Sequence, residues 1–316
     1  MDPHHVRYFL AVVDQGSINA AAGAVGVAQP TISQALRALE RELHTPLFHR
    51  IGRGMVPTSA GHALVGPARK IMRDMATAAG TVPDSEGHLR GRLDIRCHPS
   101  LGTGLLPRLL AAFHEQHPRV DVSIETLDDE GRVTELLDDA VCELVVMHLP
   151  YDAESRASAS EPPLTVLELG TQEYWVAFPP GVEAPPHDPI DRDEVTDPMV
   201  IVPGGGRHAA EIWRASPEQQ RRRPALVLQN REARLAFTLA GVGPTWIEKS
   251  QADLARQLGA EVRALRPALE ATYGLIFDAR TLSPAASAFV VMASGYLARP
   301  KWSSTIPRKA SPAGES

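Results

Sequence analysis

Cysteine is nearly missing from this chain: Cys97 and Cys142 are the two among 316 residues. Two thiols cannot build a disulfide framework or a cysteine-based metal site. Their apolar, strand-like neighbours mark them as buried, inert thiols rather than a redox pair. Long apolar runs are missing as well, and none approaches the roughly 18–20 consecutive residues that a membrane span requires. The N-terminus has no basic, then apolar, then small-residue succession of a secretory signal, so the cytoplasm is the expected compartment and no membrane partner is expected. No nucleophile elbow, phosphate-binding loop or metal-ligand spacing occurs, so neither an enzyme nor a cofactor is expected. The 12 histidines are scattered apart from the adjacent His4 and His5, without the paired helical spacing of a zinc site, so no metal site is expected either. Strong charge is lacking too. The net charge of −6 argues against a surface that coats nucleic acid, but its distribution is uneven. Residues 1–80 carry eight Lys/Arg against five Asp/Glu, a net of +3, which leaves −9 on the remainder. A mildly basic head on an acidic body suits phosphate contacts made by one end only.

What is present is the composition of an ordinary folded protein, 43% apolar and 22% charged, at a length that predicts two or three units. The organising stretch is residues 17–43. Ser17 or Asn19 can cap a short helix with a small-residue face at Ala20, Ala21, Ala24 and Val25, and Gly26-Val27 makes a tight turn. Gly23 inside that helix costs up to roughly 1 kcal/mol relative to Ala. A second helix runs from Gln29 to Leu43, with Pro30 in its first turn, where a missing N–H is harmless. Ile32, Leu36, Leu39 and Leu43 recur three and four apart and make one buried stripe. The opposite face offers Ser33, Gln34, Arg37 and Arg41, which can bond to bases and phosphates. Two helices at this spacing predict a helix-turn-helix, whose second helix enters the major groove.

The flanks fit that reading. His4 to Asp14 forms a helix ended by Gly16. His49 to Met55 reads as a hairpin with a glycine-rich tip, a wing whose Arg50 and Arg53 would reach phosphate or the minor groove. Thr58 and Ser59 can cap a long amphipathic helix from Ala60 to Ala79. Between two domains such a helix has nothing of its own to bury against, which predicts a partner helix from a second copy. Residues 80–91 read as an exposed linker.

From Arg92 the pattern alternates between strand and helix: strand 93–97, helix 105–117, strand 120–126, helix 133–139, strand 144–148. This order implies a parallel sheet with ligand sites at the carboxyl ends of its strands. Residues 151–163 read as a crossover. A second α/β unit follows, with strands at Leu164–Leu169, Tyr174–Phe178, Met199–Pro203 and Ala225–Gln229, and helices at Ala209–Ala215 and Arg231–Ala240. Gly204, Gly205 and Gly206 follow a strand and precede a helix, where backbone N–H groups could meet an anion; a plain loop reads as well. Thr272 to Asp278 returns as a strand, Pro284 to Leu297 closes with a helix, and residues 299–316 read as a disordered tail.

Residues 5–73 resemble the winged helix-turn-helix of LysR-type transcriptional regulators. The resemblance is carried by Arg7 to Val13, Gly16-Ser17-Ile18, Ala21-Ala22, Gln29-Pro30-Thr31-Ile32-Ser33, Leu39 to Leu43, Pro46 to Arg50, Gly52-Arg53-Gly54 and Thr58 to Gly61. Residues 91–297 are similar to that family's two-lobed effector-binding part through Gly91-Arg92-Leu93, Ser100, Gly104 to Pro107, His117 to Val120, Ala240 to Gly243, Leu282 to Ala286 and Phe289. The implied fold class is mixed: an all-α winged head (1–60), a linker and dimerisation helix with hinge (61–90), and a periplasmic-binding-protein-like α/β part (91–298). In the last, lobe I takes 91–150 and 271–298, and lobe II takes 164–265.

The resemblance implies a sequence-specific DNA-binding regulator switched by a small-molecule effector held between the lobes. Its partners would be a pseudo-palindromic double-stranded operator and a second copy, with a tetramer as a dimer of dimers. The alternative drawn from the body alone is a solute-binding receptor, which the missing signal and the head disfavour. DNA contact is implied for Gln29, Pro30, Thr31, Ser33, Gln34 and Arg37, with Arg50 and Arg53 on the wing. Gln34 suits adenine and Arg37 guanine. Effector contact is implied for Ser100 and Thr103, at a helix N-terminus, and for Asp129 and Glu130. Gly204, Gly205, Arg207 and Asn230 are the lobe II candidates. Two acids aimed at the cleft would favour an amine or hydroxylated effector over a simple anion; the alternative, and the commoner fate of acids, is that both point to water.

The sequence also departs from the family pattern. Ala28 stands where a Ser usually caps the recognition helix, a loss of about 0.5–2 kcal/mol. Ala20 replaces a position often basic, His44 a usual Gly, Pro57 a usual Leu, and Glu248 a common Pro.

Overall fold

The structure is a computed structural model that describes residues 1–80, 89–151, 163–201, 223–228 and 230–297. Three helices open the chain, α1 (Pro3–Gln15), α2 (Ile18–Val25) and α3 (Gln29–Glu42). The first two are stopped and started by local chemistry. The Asp2 carboxylate accepts from the His4 N–H at 2.8 Å, Gly16 ends α1 in the left-handed region at φ 68°, and Ser17 Oγ accepts from the Ala20 N–H at 3.2 Å. α3 starts without such help. Ala28 has the extended backbone of a cap (φ −71°, ψ 143°) but no side-chain bond to give. His44, at the usual glycine position after α3, adopts φ 54°, a left-handed conformation that costs a non-glycine residue about 1–2 kcal/mol.

The predicted apolar stripe is the core of the head. Ile32, Leu36 and Leu39 pack with Val6, Phe9, Val12, Leu47 and Phe48, and the Phe9 and Phe48 rings lie 5.4 Å apart. The hairpin forms from β1 (Phe48–Ile51) and β2 (Gly54–Pro57). It is tied to the α1–α2 turn by the Met55 N–H, which donates to the Gly16 carbonyl at 2.8 Å. Thr58 then starts α4 (Ser59–Gly80). Its hydroxyl donates to the Pro46 carbonyl at 2.8 Å and accepts from the Gly61 N–H at 3.0 Å.

The premise that α4 has no partner in its own chain is corrected by the structure. Val65 and Ala68 join the head core. Gly66 lies so close to Asp139 that a Cβ there would come within 2.9 Å of its carboxylate. Arg73 donates to the carbonyls of Ala140 and Cys142 at 2.8 and 3.1 Å. What a second copy could cover is the remainder, which includes exposed Met75.

The body begins with β3 (Gly91–Cys97), α5 (Leu105–Gln116), β4 (Val120–Thr126), α6 (Val133–Asp138) and β5 (Leu144–His148), and β4, β3 and β5 are parallel neighbours. The parallel arrangement inferred from the sequence stops there. The segments read as two strands, Leu164–Leu169 and Tyr174–Phe178, are one 14-residue strand, β6 (Thr165–Phe178). After it come β7 (Ile190–Asp191), β8 (Val200–Ile201), β9 (Leu226–Val227), α7 (Arg234–Leu239), β10 (Thr245–Glu248), α8 (Ala252–Gln257), β11 (Glu261–Arg263), β12 (Leu265–Arg266), β13 (Leu269–Phe277) and α9 (Pro284–Leu297). The main sheet runs β10–β6–β13–β5–β3–β4, with β11 also on β6, and β13 is antiparallel to both its neighbours. Of the strands expected at Met199–Pro203 and Ala225–Gln229, the described residues hold the parallel pair β8 and β9, and residues 202, 203 and 229 lie outside them. The helix expected at Ala209–Ala215 and the tail at 299–316 lie outside the described residues.

Two strands feed both cores. Leu169 of β6 and Tyr273, Leu275 and Phe277 of β13 pack with β3, α5 and α9 in lobe I. Tyr174, Val176 and Phe178 of β6 and Leu269 and Ala271 of β13 pack with Ile190, Val195 and Met199 in lobe II. No helix among the described residues is long and apolar enough to cross a membrane.

Candidate functional site

The head presents one polar face. With Ile32, Leu36 and Leu39 turned inward, the helical period turns the other side of α3 to solvent. There Gln29, Pro30, Thr31, Gln34 and Arg37 are exposed and Ser33 is half-buried. Arg41 extends the face, and Arg50 and Arg53 are exposed at the end of β1 and beside the Gly52 tip. Among the described residues Arg37, Arg50 and Arg53 form no ion pair, so their charge is available to an outside anion. The structure therefore puts every expected DNA-contacting residue on the surface, on two adjoining elements.

The second site lies at the carboxyl ends of β3, β4 and β5. The turn Pro99–Leu101 after β3 rests against the turn Arg231–Ala233 of lobe II. Ser100 is buried (1% exposed) and central. Its hydroxyl lies 2.8 Å from His98 Nδ1, and its carbonyl accepts from Gln172 Nε2 at 2.8 Å. Gln172 Oε1 accepts from the Tyr174 hydroxyl at 3.0 Å and lies 3.1 Å from His148 Nε2. Burial pushes the Tyr174 phenol up to about 12, against a lowering by its bond to Ser100, so Tyr174 stays a neutral donor. Glu130 closes the group, its Oε1 3.9 Å from His98 Nε2.

Lobe II contributes charge to the same place. Arg234 donates to Glu248 at 3.1 Å, with side chains only 9% and 2% exposed. The unusual Glu248 is thus half of a buried ion pair, which the common proline could not supply. Arg231 is held below its ordinary range, first by burial and then by repulsion from Arg234.

Of the other expected effector residues, Thr103 is exposed on the turn before α5. Asp129 is exposed and bends back to accept from the Gly131 N–H at 2.8 Å. Asn230 is exposed and caps the Arg231 turn by accepting from the Glu232 N–H at 2.9 Å. Gly204, Gly205 and Arg207 lie outside the described residues. The sequence reading missed His98, His148, Gln172, Tyr174, Arg231 and Glu248. The signal available for the two histidines was their position at the carboxyl ends of β3 and β5, where parallel sheets bind ligands. Cys97 and Cys142 are free and buried, and burial pushes both thiols up to about 12.

A separate cavity of about 840 Å³ lies between head and lobe I, lined by Arg7, Asp14, Arg69, Arg73, Arg96 and Glu143 among others. At its wall buried Glu143 accepts from the Ser283 N–H at 2.7 Å and the Ser283 hydroxyl at 3.0 Å, with Arg73 Nε 3.9 Å away. Burial raises the Glu143 carboxyl above its usual range, against the pull of Arg73 and Ser283. This cavity joins the domains and is distinct from the cleft cluster.

Comparison with known proteins follows the same division. Residues 3–62 match the family described as bacterial regulatory helix-turn-helix protein, lysR family, and residues 86–297 match the LysR substrate binding domain. The HTH-type transcriptional regulator DgcR of Pseudoalteromonas sp is 27% identical over 175 residues, covering 55% of this chain and 57% of that protein. The HTH-type transcriptional regulator CzcR of Bacillus cereus is 33% identical over 138 residues, covering 44% and 47%. The chain thus spans about half the length of the curated relatives it matches. Among solved structures, a full-length OxyR variant from Pseudomonas aeruginosa superposes with a TM-score of 0.67 at 19% identity, over 93% of this chain and 94% of that one. Full-length CbnR complexed with its target DNA gives 0.62 at 21% identity, over 93% and 99%. With both family descriptions matched in register over head and body, the chain belongs to the LysR family of bacterial regulators.

Proposed function

We propose that this protein is a cytoplasmic, sequence-specific DNA-binding transcriptional regulator whose activity is switched by a small-molecule effector between its two lobes. The observation that carries this is the α3 face: a run of exposed hydrogen-bonding side chains ending in an unpaired Arg37, flanked by the Arg50 and Arg53 wing, on a head with its own core. CbnR, of the same fold, has been solved on its target DNA, which supports the same use of the head here. In this reading residues 1–60 read DNA, 61–90 pair two copies and link, and 91–298 sense the effector. Lobe I is 91–150 with 271–298, and lobe II is 164–265. A dimer places two recognition helices on a pseudo-palindromic operator about one helical turn apart, and a dimer of dimers extends it. The protein itself catalyses no reaction.

The test is salt-dependent binding of the full chain to the DNA upstream of its own gene against competitor DNA. Arg37→Ala should cost about 1–3 kcal/mol and relax sequence preference, whereas Arg50→Ala should weaken all sequences alike and lower the salt slope by about one. Equal affinity for operator and competitor at physiological salt would overturn the reading.

A further inference from the structure

Two histidines and a glutamate meet where three neighbouring parallel strands end. His98 follows β3, Glu130 lies in the turn after β4, and His148 is the last residue of β5. Their donor atoms all lie within 4.8 Å of one another, and the two imidazoles meet edge to face with centroids 4.8 Å apart. Among the described residues no other three His, Cys, Asp or Glu side chains converge in this way. We propose that His98, Glu130 and His148 bind a divalent transition-metal ion of the zinc class, and that its occupancy is the signal this cleft transmits. The second half rests on the regulator reading above.

The donor set selects the class of ion. Two imidazole nitrogens and one carboxylate suit zinc and its neighbours, whereas calcium and magnesium take oxygen donors. Three protein ligands leave a fourth position for water or for a donor atom of an organic effector. The surrounding hydrogen bonds orient both rings, as supporting groups around metal-bound histidines do. Ser100 fixes the His98 ring through Nδ1, which accepts from the Ser100 N–H at 3.3 Å and lies 2.8 Å from Ser100 Oγ, so that Nε2 faces Glu130. Gln172 spends its amide N–H on the Ser100 carbonyl, so its Oε1 only accepts. His148 Nε2 faces this oxygen at 3.1 Å and the Tyr174 hydroxyl at 3.2 Å, and the tautomer that donates to Oε1 carries its lone pair on Nδ1.

The geometry also says what loading would move. Ligands about 2.0–2.1 Å from a tetrahedral ion are about 3.4 Å from each other, so donors that lie within 4.8 Å of one another, His98 Nε2 and Glu130 Oε1 being 3.9 Å apart, must close in. Glu130 opens the turn that leads into α6, so its approach would carry the start of α6 towards β5. The Arg231 guanidinium is near enough to Glu130 for their charges to interact.

The test uses the full chain, stripped with a chelator, then titrated with ZnCl₂ by calorimetry and with CoCl₂ by visible absorption. One ion per chain is expected, unchanged in a His4→Ala/His5→Ala variant, and at least tenfold weaker in Glu130→Gln and in His98→Gln. Ser100→Ala, which removes only an orienting bond, should weaken it about tenfold or less. Zinc should also change the footprint on the upstream DNA in the wild type and not in Glu130→Gln. No binding, or binding that Glu130→Gln and His98→Gln leave intact, overturns the site. An ion bound with no change in footprint overturns its role as signal. If no DNA is bound with or without zinc, the regulator reading fails instead, and the titration still decides the site.

Discussion

Replacing Glu248 by glutamine should unsettle lobe II more than its conservative chemistry suggests. The carboxylate is 2% exposed and meets an Arg234 side chain that is 9% exposed, at 3.1 Å. Arg234 is fixed on its other side by donating from Nε to the Arg231 carbonyl at 3.1 Å, and the half-buried Arg231 is repelled by it. Removing the negative charge leaves the buried Arg234 guanidinium uncompensated and still repelled by the charge of Arg231. Breaking a buried pair by removing one partner typically costs about 3–5 kcal/mol. Glutamine keeps one acceptor for Arg234, so the lower end, about 3 kcal/mol, is expected.

The double variant Glu248→Gln/Arg234→Met removes the stranded charge and keeps the bulk of the arginine stem. It should return to within about 1 kcal/mol of the wild type, because apolar replacement of a whole buried pair is often neutral. The assay is urea unfolding followed by fluorescence, in which Trp175 and Trp246 flank the pair on β6 and β10. A loss below about 1 kcal/mol in the single variant, or a double variant no more stable than the single, would refute the reasoning.

Four further outcomes follow from the geometry. Gly61→Ala should cripple the head, because a Cβ there collides with the Leu47 carbonyl, while Gly23→Ala, whose Cβ meets nothing, should stabilise by about 0.5–1 kcal/mol; thermal melts of the two variants compare them directly. His44→Gly relieves a left-handed φ of 54° and should raise head stability by about 1 kcal/mol. Ala28→Ser should add about 0.5–1 kcal/mol, near the low end because Pro30 has no N–H and the Thr31 N–H is already bonded to the Ala28 carbonyl; both are read by denaturant midpoints. Glu143 has a carboxyl raised in the folded state, first by burial, so the fold binds its proton more tightly than the unfolded chain does. Its contribution is fully present below the usual glutamate range and is lost as pH rises through the raised value. Unfolding of wild type and Glu143→Gln across pH 4 to 8 should show that the variant lacks this decline.

The head was legible because its information is local. Ile32, Leu36 and Leu39 state their burial by spacing alone, and the exposure of Gln34 and Arg37 follows from the same period. The hairpin was legible for a similar reason, since Gly52 and Gly54 bracket its turn. The cleft was legible only at Ser100 and Glu130, through the family resemblance; its other residues come from positions 98, 148, 172, 174 and 231, and only the order of strands in the sheet makes them neighbours. Scattered histidines looked inert for want of a helical spacing, which a site built at strand ends never shows. β6 was divided in two because Gly170-Thr171-Gln172-Glu173 reads as a turn. In the fold Gly170 takes φ 147° in a continuous strand whose register with β13 shifts at Tyr273/Gly274. The parallel sheet was overextended for the same reason: alternation of strand and helix predicts β3, β4 and β5 but says nothing of strands that pass between lobes.

Because β6 and β13 supply both cores, the lobes are joined by a paired ribbon rather than by loose loops. A two-stranded ribbon resists stretching and bending in its own plane but yields in torsion. Rotation of one lobe against the other is therefore expected about the ribbon axis where β6 and β13 pair alone, at Thr171-Gln172 and Ala271-Thr272, between the β10 partner Tyr174 and the β5 partner Tyr273. Gln172 and Tyr174 project from that ribbon, so whatever they hold applies its torque to the shaft itself.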